Sequence, residues 1–163
     1  MGGRGSGSRM SASRSGGGSA MDQFRQASAE RQRLASARAP MSEINQAMQR
    51  ETNAAYNVVS DMSDSQIQSA ADRYIDHVVN NPTESNAEMR QWLNGISGTK
   101  RDGSPTQRSI DNAKSESWKF INNQNGLNLT TQAYSYMDPS HSSQTDRLAR
   151  ALVKSASRYK GRF

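Results

Sequence analysis

From Ala20 onward the larger apolar residues recur every three or four positions, and almost nowhere do they alternate with the period of two that a half-buried strand requires. That spacing confines the chain to helices. Pro, Gly and Asn then cut the pattern into segments of helix length. The first predicted helix runs from Ala20 to Ala39 and is stopped by Pro40; with only Met21, Phe24 and Leu34 as larger apolar residues, it is a candidate projecting arm. Met41 to Ser60 follows, with Met41, Ile44, Met48, Ala55 and Val59 forming one buried stripe.

The third helix has the clearest start. Ser63 caps it, Gln66 completes the capping box, and Met62 can staple to Ile67. Its inner face of Ile67, Ala70, Ala71, Tyr74 and Val78 continues to Asn80. Asn81, Pro82 and Glu84 predict the start of a fourth helix carrying Met89, Trp92, Leu93 and Ile96 inward. Ser104, Pro105 and Gln107 predict a fifth, with Ile110, Ala113, Ser117, Phe120 and Ile121 inside, ended by Asn125 and Gly126. A less regular stretch holds Tyr134 and Tyr136, and Asp138 with Pro139 opens the last helix, where Leu148, Leu152, Ala156 and Tyr159 keep helical spacing. The expected fold is an all-α bundle of about five to seven helices, one domain over residues 20–163 behind an N-terminal tail.

That tail, Met1 to Ser19, is nearly all Gly, Ser and Arg. Such a segment cannot bury enough apolar surface to offset its ordering entropy, so it is expected to be disordered when free.

The whole chain has 21 Lys and Arg against 15 Asp and Glu, a formal charge of +6, but the charge is unevenly placed. Met1 to Pro40 holds seven Arg and two carboxylates, Met41 to Ser140 eight cations and twelve carboxylates, and His141 to Phe163 six cations and Asp146 alone. Both ends are basic and the middle is mildly acidic. On the last helix Arg147, Arg150, Lys154 and Arg158 sit at steps of three, four and four, extended by Lys160 and Arg162. A row of cations about 5–6 Å apart suits a phosphate backbone, with Tyr159 and Phe163 available to stack on unpaired bases. The competing reading is a solvated helix face with cations near its C-terminal dipole. Arg4, Arg9 and Arg14 among glycines and serines suit association with nucleic acid by charge without fixed geometry.

Chemistry is harder to find. There is no cysteine, so no disulfide, thiol nucleophile or cysteine metal site is available. No apolar run approaches the ~20 residues of a membrane span, and no apolar h-region follows Met1, so neither membrane insertion nor secretion by a signal peptide is expected. G-x-S-x-G, H-E-x-x-H and the phosphate-binding fingerprints are absent. Asp72, Asp76, His77 and His141 are all that a metal or hydrolytic site could draw on, and Asp72 with Asp76 reads more simply as a solvated acidic face. A non-enzymatic protein without cofactor or metal is expected. Tyr134 and Tyr136 are the protein-interface candidates, whereas Trp92 and Trp118 fall on predicted inner faces.

Gly2, Gly3, Arg4, Gly5 and Ser6 form an opening that resembles an N-terminal Gly-Gly-Arg-Gly signature recurring in proteins encoded by bacteriophages and prophages, often near head-morphogenesis genes. The resemblance implies a viral accessory protein, carried in the virion or made early in the cytoplasm of the bacterial host to counter a host system. Together with the charge layout, this gives the leading expectation: a non-catalytic protein binding nucleic acid or a host nucleic-acid-bound complex, as an inhibitor of a host defence nuclease of the anti-CRISPR kind would. The alternative is a virion assembly protein that forms homo-oligomers and whose basic tail orders on neighbouring subunits.

Overall fold

The computed structural model describes residues 19–83 and 85–161. Among the described residues the chain is all-α, as the periodicity predicts: α1 (Ala20–Ser36), α2 (Met41–Asp61), α3 (Asp64–Asn80), α4 (Asn86–Ile96), α5 (Gln107–Asn122) and α6 (Ser142–Ser157). Two short 3₁₀ turns, Ser135–Met137 and Pro139–His141, precede α6. Thr99 and Pro105 make one isolated antiparallel bridge. Of the tail, only Ser19 is described. No helix among the described residues is long and apolar enough to cross a membrane. The chain packs into two compact units, one of α1 and α2 with Thr130–Gln132, the other of Met62–Leu129 with the segment from Ala133 onward.

In the first unit, Ser19 starts α1 through a capping box in which its hydroxyl accepts the Asp22 N–H and the Asp22 carboxylate accepts the Ser19 N–H. The helix ends at Ser36 rather than at Ala39, because Arg38 adopts φ 55° and the Ala39 N–H folds back onto the Leu34 carbonyl at 3.0 Å. α1 lies along α2 with Phe24 and Leu34 buried. The segment read as an arm is thus one limb of a helical hairpin. Of the stripe predicted on α2, Ala55 and Val59 are buried and Ile44 and Met48 half-buried, while Met41 is 66% exposed. The buried charge here is Glu51, 2% exposed: one carboxylate oxygen accepts the Arg31 Nε–H and the other the Ser28 hydroxyl, both at 2.6 Å. Burying a carboxylate is tolerable only with such full satisfaction.

In the second unit, α3 begins with the predicted Ser63–Gln66 capping box. α4 does not begin at Asn81. The Asn81 N–H instead caps the end of α3 on the His77 carbonyl, and α4 starts four residues later at Ser85, whose hydroxyl and the Glu88 carboxylate form a reciprocal box; Glu84 lies outside the described residues. The start of α5 differs in the same way. Thr106 caps it, and Pro105 sits in the bridge to Thr99. Asp138 caps the Pro139–His141 turn, which runs on into α6. α6 packs against α3, α4 and α5. Ile67, Ile75, Phe120, Ile121, Leu148 and Leu152 fill the core, and the Tyr74 and Phe120 rings meet at 5.4 Å. Burial, and secondarily the Glu116 carboxylate, push the Tyr74 hydroxyl well above its ordinary pKa.

Candidate functional site

The cationic row of α6 lies in the second unit, and the helix turns much of it toward α3. Arg147 donates from Nη2 to Asp64 Oδ1 at 2.8 Å and to the Met62 carbonyl at 2.7 Å. Arg158 donates from Nη2 to Asp76 Oδ1 at 2.9 Å, lies 3.6 Å from Asp72 Oδ1, and bonds Ser155 through both its hydroxyl and its carbonyl. The hydroxyl of Tyr159 donates to the same Asp76 oxygen, and the Arg158 guanidinium sits over the Tyr159 ring at 5.4 Å. Asp72 and Asp76, read from sequence as a solvated acidic pair, are therefore the acceptors for α6.

The rest of the row is freer. Arg150 pairs along its own helix with Asp146 at 2.7 Å. Lys154 and Lys160 are exposed, with no carboxylate within 4.0 Å among the described residues. Arg4, Arg9, Arg14, Arg162 and Phe163 lie outside the described residues. In the first unit, Arg25 pairs with Asp22, Arg33 with Glu30 and Arg31 with Glu51. The described α1–α2 hairpin holds five arginines and five carboxylates, so its own charge balances.

The two interface candidates sit at the turn that leads into α6. Tyr134 is 73% exposed and Tyr136 half-buried, with ring centroids 6.5 Å apart. Met137, which the sequence did not single out, is 66% exposed on the same turn. Ser135 and His141 are buried beneath it. Asp138 accepts the Ser140 N–H and hydroxyl, and both bonds hold its carboxyl below the usual range. The His141 Nε2 lies 3.8 Å from Asp138 Oδ2. Burial lowers the His141 pKa from its ordinary 6.5, against the opposing pull of Asp138. A fixed turn with an aromatic and a thioether side chain facing water is suited to contact, since few rotamers are left to freeze on binding.

Elsewhere, His77 bonds only locally, to Asn81. Trp92 and Trp118, expected inside, are half-buried; Trp92 donates its indole N–H to Glu116 Oε1, and Lys119 lies 5.9 Å from the Trp118 ring centroid. Compared with protein-family models, with curated proteins and with solved structures, the chain matches none.

Proposed function

We propose that the chain is a non-catalytic accessory protein that binds a nucleic-acid-bound protein complex. The observation that carries this reading is the Tyr134–Met137 turn, in which two large apolar side chains are 73% and 66% exposed above the buried Ser135 and His141. Aromatic and methionine side chains are enriched where proteins meet proteins. The protein component of the target takes this turn. Lys154 and Lys160 supply the contact to phosphate, because among the described C-terminal cations they are the ones with no carboxylate partner. The Gly2–Ser6 resemblance supports a phage or mobile-element setting, in which the complex is a host defence nuclease and binding inhibits it.

The test is affinity capture from bacterial lysate with and without nuclease treatment, using the wild type, Tyr134→Ala with Met137→Ala, and Lys154→Gln with Lys160→Gln. The turn variant is expected to lose the captured protein. The lysine variant should capture it with a flatter salt dependence. Capture that is identical for all three overturns the reading.

The same exposed side chains favour a second reading, assembly with further copies of the chain, in which a partner stabilises a lean fold by mass action. Light scattering separates the two. A monomer at every concentration removes the assembly reading, and a mass that grows with concentration and collapses on Tyr134→Ala supports it.

A further inference from the structure

The geometry points to a binding site for a small carboxylate with a short aliphatic body, built on Arg31 in the first unit and independent of the surfaces discussed above. Arg31 lines a cleft of about 200 Å³ between α1, α2 and the Thr130–Gln132 segment. Its side chain is 25% exposed, and it is held by one edge only, with Nε–H donating to Glu51 Oε1 at 2.6 Å. A guanidinium carries five N–H donors in a planar fork. The four on the two Nη atoms have no partner among the described residues, and neither Nη is buried.

What holds the guanidinium also defines what it can take. Glu51 is anchored on its other oxygen by the Ser28 hydroxyl at 2.6 Å, so it is a positioning residue that fixes Arg31 by its Nε edge. Four donors and no acceptor call for a ligand with paired planar acceptors, which a carboxylate offers in bidentate form. The half-buried Ile44 and Met48 of α2 provide the apolar wall. The Gln132 N–H donates to Thr52 Oγ1 at 3.2 Å, which ties the 130–132 segment of the cleft to α2. The volume lies below the ~300–1,000 Å³ of sites for drug-sized ligands, so the ligand is small. Because Glu51 already neutralises Arg31, binding is weak, on the order of millimolar.

The probe is hexanoate, titrated into the full chain and followed by amide NMR shifts, with acetate, hexylamine and inorganic phosphate as comparisons. Hexanoate is expected to give saturable shifts at Ile44, Met48 and Thr131. Acetate, lacking the chain that meets Ile44 and Met48, should bind about tenfold more weakly, and hexylamine should not bind. Ile44→Trp fills the cleft while keeping both members of the Arg31–Glu51 pair in the chain, and should abolish the response. Arg31→Lys keeps the charge, loses the fork, and should weaken binding about tenfold. No saturable response to hexanoate, equal binding by both variants, or phosphate binding in place of hexanoate each overturns the proposal.

Discussion

Arg158 donates to Asp76 across 2.9 Å at a sequence separation of 82 residues, and the polar contacts between their two helices fall at separations of 82 to 86, the widest being Arg158 to Asp72. Asp64 and Arg147 are 83 apart, as are Gln68 and Ala151, while Ala71 and Ser155 are 84 apart. A nearly constant offset, with partners advancing together along both helices, means that α3 and α6 run parallel. Their seam is polar along its length: arginines at each end, the Gln68 amide on the Ala151 carbonyl at 3.1 Å and the Ser155 hydroxyl on the Ala71 carbonyl at 3.3 Å between them. The row on α6 thus contributes to folding as well as to surface charge.

The two roles separate by mutation. Arg147→Gln and Arg158→Gln are each expected to cost about 0.5–1 kcal/mol, the range of partly exposed ion pairs with an added carbonyl bond. Asp76→Ala removes the acceptor of both Arg158 and Tyr159 and should cost about 1–2 kcal/mol. Lys154→Gln with Lys160→Gln should leave the urea midpoint unchanged. Urea denaturation of the wild type and the four variants at one salt concentration decides it, and a lysine variant as destabilised as the arginine variants would sink the division.

That division also marks where the sequence stops being legible. Helices, their inner faces and the Ser63–Gln66 box follow from spacing and capping chemistry within a few residues. Asn81 and Ser85 both carry starting signatures, and only packing decides that the full reciprocal box at Ser85 and Glu88 wins while Asn81 closes the helix before it. The α6 row is legible as a row. Its acceptors lie more than 80 residues earlier, at spacings on α3 that look like a solvated acidic face until the two helices are laid side by side. Glu51 carries no local sign of burial for the same reason, since its partners, Ser28 and Arg31, are on another helix.

Arg38 holds φ 55° at the end of α1, where a residue with a Cβ is strained and Gly is the usual occupant. Arg38→Gly is expected to stabilise the protein by about 0.5–1 kcal/mol. Thermal unfolding at fixed pH and salt measures it. A lower midpoint would mean that the arginine side chain contributes contacts beyond its backbone.

Gly126 tests packing where no unusual φ is involved. A Cβ there would stand 2.1 Å from the Phe120 carbonyl oxygen and 2.8 Å from its ring, and that carbonyl already accepts the Leu127 N–H at 3.0 Å. Gly126→Ala should therefore cost about 1–3 kcal/mol. Gly95, inside α4, has only the Asn112 amide at 3.7 Å, so Gly95→Ala should gain about 0.5–1 kcal/mol from helix propensity. Opposite signs for the pair in urea denaturation are the expected outcome; equal effects would contradict the packing at Phe120.

His141 sets the response to mild acid. It is buried at the start of α6, and burial lowers its pKa from the ordinary 6.5. The unfolded chain therefore takes up a proton first as pH falls. The contribution of neutral His141 is fully present above pH 6.5, declines as pH drops below that value, and levels off once the native pKa is passed, with a slope of at most ~1.4 kcal/mol per pH unit. Asp138, whose carboxyl is held below its ordinary 3.8 by Ser140, acts in a separate and more acidic window, where stability again falls as pH falls. Urea midpoints measured from about pH 7.5 to about pH 2.5 should decline for the wild type, first below pH 6.5 and again in the carboxylate window. His141→Gln should flatten the first decline and leave the drop below pH 3.8 in place. A wild-type profile that is level through pH 6.5 would show that the native turn admits the imidazolium.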